Sequence, residues 1–305
     1  MVKQIPDGVY PTMVTPFTAE NKLDLRATAQ LLEWYAERGV AGIFAICQSS
    51  EIFYLSFEER LTLLKFIMAN RPKGMAVVAS GHVADDPETQ AREAEAFIGT
   101  GIDAYVFISN RLAAENEDDG KLLENTFRLL EKLPGIGFGV YECPYPYKRV
   151  LTPRVLRALS GTGRFLFLKD TCCDPGTIRL KLEAAAGTGL KIFNANAATL
   201  LETLKMGCAG YSGVMANFHP ELYAELCACW RTDPEKADLL QDLLGFFSVA
   251  ECQYYPVNAK YYLGLEGLDI LPDARVKDKA GFTLSRQTEI RQMRDLTERI
   301  KKSML

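Results

Sequence analysis

The chain has 305 residues, 48% of them hydrophobic, and 35 Lys and Arg against 39 Asp and Glu give it a net charge of −4. There is no overall basic field to hold nucleic acid or an anionic membrane, and no apolar run nears the ~20 residues of a spanning helix. Neither partner is expected, and the length suits one large α/β barrel or two medium domains.

The first residues, MVKQIPDGVYPTMVTPF, lack the apolar region and small-residue cleavage site of a secretory leader. A cytoplasmic protein is expected, with its eight cysteines reduced rather than paired. Cys172–Cys173 and Cys227-x-Cys229 lack zinc-ribbon spacing and read as small core hydrophobes.

Along the chain, short apolar runs alternate with stretches apolar at every third or fourth position. The strand-like runs are Val9–Val14, Gly42–Ile46, Ala76–Ala79, Ala104–Ile108, Ile136–Tyr141, Phe165–Leu168, Lys191–Asn194 and one around Gly210–Ser212. The helix-like stretches are Leu25–Arg38, Phe57–Asn70, Pro87–Thr100, Lys121–Lys132, Pro153–Ser160, Pro175–Ala186, Thr199–Met206 and Glu221–Arg231. Asp24, Ser56, Asp86, Thr152 and Asp174 are placed to cap helix starts. Gly39, Gly74, Gly101, Gly187 and Gly207 follow helix ends. Parallel strands need such crossovers. Eight strand–helix units therefore predict a (β/α)8 TIM barrel over residues 1–231, followed by a C-terminal helical extension over 232–305 that packs on it. An open doubly wound sheet competes, but Thr15-Pro-Phe-Thr stands where that fold often has a glycine-rich turn.

In a barrel the active site lies at the C-terminal ends of the strands. The run FLFL leads straight into Lys169. Its stem can lie on apolar surface while the head reaches water; alternatively the amine is desolvated, which favours the neutral, nucleophilic form. Tyr141 closes the preceding run. It reads as a packed aromatic or, beside Lys169, as a phenol that passes protons. Ser49 and Ser50 end the second run, where hydroxyls and backbone N–H groups suit a carboxylate. Glu51 reads as a loop anchor. Arg111, Lys148 and Arg149 are basic groups near the site loops; one that points inward would suit an anionic substrate. With only His82 and His219 in the chain, no metal site is expected.

MVTPF (Met13–Phe17), SSE (Ser49–Glu51), VYECP (Val140–Pro144), FLKD (Phe167–Asp170) and ANFHPEL (Ala216–Leu222) occur in that order. Together they resemble the motifs of the dihydrodipicolinate synthase and N-acetylneuraminate lyase superfamily of class I aldolases. The resemblance implies a barrel with helical extension, a homotetramer, and lyase chemistry on pyruvate, another 2-oxo acid or a sugar acid, with neither metal nor organic cofactor. By position it implies Lys169 as the Schiff-base lysine, Tyr141 as the proton-relay phenol and Ser49 as the relay hydroxyl. Ser50, Ser212 and Gly213 fall on substrate-binding positions, with Asn196 and Arg111 as further candidates.

The chain also departs from that pattern. Asn110 and Arg111 stand where the synthases carry paired tyrosines, and Pro146 where they carry an arginine. Ala195-Asn196-Ala197 replaces the acidic residues of the sialic acid lyases, and Cys47-Gln48 replaces a glycine before the serine turn. Two alternatives follow: a non-catalytic 2-oxo-acid-binding or regulatory protein on the same barrel, and a true dihydrodipicolinate synthase with an altered site.

Overall fold

The computed structural model describes residues 4–304. Residues 1–3, the start of the segment read for a leader, and residue 305, the end of the expected extension, lie outside it. Eight parallel strands form one sheet: β1 (Gly8–Val9), β2 (Gly42–Ala45), β3 (Ala76–Ala79), β4 (Ala104–Ile108), β5 (Gly137–Tyr141), β6 (Phe165–Asp170), β7 (Lys191–Asn194) and β8 (Gly210–Tyr211). β1 pairs with β8, and each later strand with its neighbour in sequence from β2 to β8. Between β1 and β2, Thr12 bridges to Phe44, and Met13 N–H donates to the Phe44 carbonyl at 3.0 Å. The sheet therefore closes, and the (β/α)8 TIM barrel expected from the sequence is the fold.

The strand-intervening helices are α1 (Leu25–Glu37), α2 (Phe57–Asn70), α3 (Pro87–Ile98), α4 (Ser109–Leu112), α5 (Asp119–Lys132), α6 (Pro153–Ser160), α7 (Pro175–Ala185) and α8 (Leu200–Met206). Asp24, Ser56, Asp86, Thr152 and Asp174 each accept a backbone N–H of the first helical turn, the geometry that makes these residue types good caps. After β8 come α9 (Pro220–Cys229), α10 (Pro234–Glu251), α11 (Val257–Leu265) and α12 (Leu284–Met304). Helix α10 packs on α9, α12 and the turn before α8.

Two local expectations change. β1 covers two residues rather than Val9–Val14, because Pro11 has no N–H for a ladder. Helix α4, a single turn after β4, is too short to show a helical period.

The barrel interior below the site is aromatic. Tyr10, Phe44, Phe167 and Phe193 interlock with centroids 4.8–5.8 Å apart. This plug is the floor on which the strand-end residues rest.

Candidate active site

Strand β6 explains how an amine comes to end a buried run. Side chains alternate along a strand, so Phe165, Phe167 and Lys169 share the inner face. Phe165 meets Phe107 and Phe138, and Phe167 meets the interior plug. Lys169 continues that row at the mouth, 4% exposed. Its Nζ lies 4.4 Å from the ring centre of Tyr141 and 5.8 Å from that of Phe44. Among the described residues no carboxylate pairs with it. Burial in these surroundings lowers its pKa to about 8.

Tyr141 is the register partner of Lys169 on β5, so the two strands deliver them side by side. Burial raises the phenol's pKa well above its ordinary value, which keeps the proton on Tyr141 at neutral pH. The hydroxyl donates to Gln48 Oε1 at 3.1 Å.

The residues that follow these two turn the other way. Glu142 and Asp170 point outward to Lys181 of α7, each 2.5 Å from its Nζ, and all three side chains are fully buried. Glu142 also accepts the N–H groups of Leu151 (2.8 Å) and Thr171 (2.9 Å), and Asp170 that of Cys172 (2.9 Å). Burial pushes Lys181 down, but the two carboxylates more than reverse this and leave its pKa above that of ordinary lysine. The cluster staples the ends of β5 and β6 to one helix directly behind the inward pair.

At the end of β2 the chain turns through Ile46, which holds φ at +50°. A β-branched residue in that region is a true outlier, at a strain of roughly 1–3 kcal/mol. The turn carries Gln48 and Ser49 into the mouth. Ser49 lines the cavity, but its hydroxyl donates to Thr12 Oγ1 at 3.0 Å, and Gln48 holds the Tyr141 phenol. An amide thus occupies the place that the resemblance gives to a relay hydroxyl. Ser50 does not face the cavity; its hydroxyl donates to the Met13 carbonyl at 2.6 Å and accepts Cys47 N–H at 3.1 Å, so it locks the turn instead. Glu51 anchors the loop, accepting from Lys260 Nζ (2.7 Å) and from the N–H groups of Arg275 (2.5 Å) and Val276 (2.9 Å).

The cavity over Lys169 measures about 500 Å³. Another of about 480 Å³ opens beside Asp7, Lys191 and Arg231, at the N-terminal ends of the strands, the face that barrel enzymes do not use for catalysis. Gly213 and Asn196 line the upper cavity. Residue 213 must be glycine, since a Cβ there would lie 2.1 Å from the Tyr211 hydroxyl oxygen. Ser212 is buried with its hydroxyl unpartnered, and is not among the cavity-lining residues.

The three basic candidates separate. Arg111 pairs with Asp85, stacks 5.6 Å from the Phe53 ring centre and is not among the residues that line the cavity over Lys169. Arg149 donates to the carbonyls of Ala114 and Glu117, each at 2.8 Å. Lys148 alone reaches the cavity. Asn110 braces the loop after β5, donating to the carbonyls of Cys143 (2.9 Å), Tyr145 (3.0 Å) and Tyr147 (2.5 Å). His82 is buried, its Nδ1 accepting Ile108 N–H at 3.0 Å, and His219 lies 2.7 Å from buried Glu251.

Gln48 and Tyr255 are cavity residues that escaped the sequence reading. Gln48 was signalled only by its place beside the serine pair. Tyr255, which enters from the C-terminal helices and accepts from Asn217 Nδ2 at 3.2 Å, carries no local signal, because its approach depends on how those helices dock.

A closed eight-stranded barrel with a buried amine beside a phenol at its C-terminal mouth defines the class, a (β/α)8 barrel with a cavity at the strand ends. The dihydrodipicolinate synthetase family model matches residues 5–277, and the chain belongs to that family. Its sequence is 24% identical over 263 residues to a 4-hydroxy-tetrahydrodipicolinate synthase of Pseudomonas aeruginosa, covering 86% of this chain and 88% of the relative. The same fold is seen in a prophage protein of the family from E. coli K12, solved in complex with pyruvate (TM-score 0.84, 20% identity, 97% and 98% coverage). It is also seen in a catalytic lysine mutant of Ruminococcus gnavus sialic acid aldolase (TM-score 0.86, 20% identity, 100% of both chains).

Proposed function

We propose that the protein is a class I aldolase-type lyase acting on pyruvate or another 2-oxo acid. The observation that carries this reading is Lys169: buried, without a carboxylate partner, and in register with Tyr141. With a pKa of about 8, about a tenth of the amine is neutral at pH 7, against less than about one in a thousand for ordinary lysine. The neutral amine attacks the carbonyl carbon of the 2-oxo acid. Tyr141 passes the two amine protons, one after the other, to the carbonyl oxygen, which then leaves as water. The resulting imine draws electrons from the neighbouring carbon. That carbon then makes or breaks a C–C bond through an enamine, or a sugar acid loses water along the same route.

Family membership supports the reaction class. The relatives' names point to two reactions, 4-hydroxy-tetrahydrodipicolinate synthesis and sialic acid cleavage. Pro146 and Ala195-Asn196-Ala197 argue against both as this chain's own. In the same reading Gln48 holds Tyr141 in place, Ser49 and Gly213 shape the pocket for the substrate carboxylate, and the protein works as a cytoplasmic homotetramer whose barrel (1–231) carries the helical region 232–305. Borohydride added with pyruvate, or with a panel of 2-oxo acids and sugar acids, should fix an adduct that peptide mapping assigns to Lys169. An unmodified Lys169 across that panel contradicts the proposal.

A further inference from the structure

We infer that the substrate carries a second anionic group beyond its 2-oxo acid end, and that Lys148 receives it; this rests on the imine reading above. The inference comes from the charges and hydrogen-bonding groups that the cavity presents. Among the described residues no aspartate or glutamate lines it, while two amines do, Lys169 and Lys148. Lys148 sits on the loop after β5, lines the cavity, is exposed, and has no ion pair or hydrogen bond among the described residues. Its basic neighbours are spent elsewhere, Arg111 on Asp85 and Arg149 on backbone carbonyls.

The two amides on the wall point the same way. Gln48 Oε1 is occupied by the Tyr141 hydroxyl at 3.1 Å and the Cys143 thiol at 3.5 Å. Asn196 Oδ1 is occupied by Ala198 N–H at 3.0 Å. Gln48 thus has both lone pairs of its oxygen engaged and Asn196 one of two, while neither NH2 has a partner among the described residues. Of the other polar groups, Thr171 donates to the Glu142 carbonyl and Ser248 to the Gly245 carbonyl, which leaves their oxygens as acceptors only. The stronger, charge-bearing groups are thus all donors. A ligand with one carboxylate next to its carbonyl uses only part of this set. A polyol without a second charge would leave an amine facing an uncharged group. With Lys169 bonded to the carbonyl carbon, a second acid group gives Lys148 its partner, and an ammonium against a carboxylate forms the stronger, charge-assisted class of hydrogen bond.

The test uses the trapping reaction, so that the two readings fail differently. Half-saturating concentrations for borohydride-trapped adduct on Lys169 are measured with pyruvate and with two pairs matched in carbon count: 2-oxoglutarate against 2-oxopentanoate, and 2-oxoadipate against 2-oxohexanoate. In the unaltered protein at least one dicarboxylic acid should half-saturate at a concentration about two- to fivefold below its partner, the scale of one solvent-accessible ion pair. In Lys148→Gln that ratio should fall to about one. Equal concentrations within both pairs overturn the inference while leaving the imine intact. So does a preference that survives in Lys148→Gln, or a loss shared equally by both members of a pair. No adduct with any acid, pyruvate included, removes the imine reading and this inference with it.

Discussion

Lys169 and Lys181 are buried amines on opposite sides of one strand pair, and their surroundings could hardly differ more. Lys181, behind the strands, is matched by two carboxylates at 2.5 Å. Lys169, in the barrel mouth, meets aromatic rings and, among the described residues, no carboxylate. The first arrangement keeps its charge and staples secondary structure. The second drives the amine toward neutrality and makes it a nucleophile. Burial alone therefore distinguishes nothing; the partner decides whether a buried lysine is structural or reactive.

That contrast breaks most sharply under substitution. Lys169→Ala should abolish the trapped adduct and lower any turnover by more than about a thousandfold, since a nucleophile has no substitute in a covalent mechanism; single-turnover assays and adduct mass check this. Lys181→Met should destabilise the fold by about 3–5 kcal/mol in denaturant titration, because it strands two buried carboxylates.

Lys169→Met should move stability the opposite way. An amine whose pKa falls from 10.5 to about 8 on folding disfavours the native state by about 3 kcal/mol at neutral pH. The unfolded chain binds this proton more tightly, so the penalty is complete below about pH 8. It fades as pH rises toward the unfolded value. The gain from Lys169→Met should fade with it. The smallest effect expected is for Gln48→Ala. It removes the acceptor of Tyr141 and should lower kcat about three- to tenfold, the worth of one hydrogen bond, with a smaller change in KM.

The strands, their order and most helix starts were legible in the sequence because period, caps and apolar runs are local properties. Asp24, Ser56, Asp86, Thr152 and Asp174 all cap as expected. Lys169 and Tyr141 were legible as residues at adjacent strand ends, and the fold brings them side by side. What escaped depends on the direction of single side chains. Ser49 and Ser50 look alike as neighbours, yet one lines the cavity and the other bonds the Met13 carbonyl. Arg111 and Lys148 are both basic and both near strand ends. Asp85 captures the first, while the second stays open to the cavity. The staple of Lys181 with Glu142 and Asp170 joins residues whose carboxylates look, in sequence, like members of the site itself. Only the alternation of β5 and β6 turns them outward.

The most direct test of the central claim, that Lys169 is a desolvated amine poised to bond carbon, is the pH dependence of its trapping by pyruvate and borohydride, followed by peptide mapping. The rate of adduct formation on Lys169 should rise with pH through a midpoint near 8. A midpoint at the 10.5 of ordinary lysine, or labelling spread over surface lysines with none at 169, would contradict it.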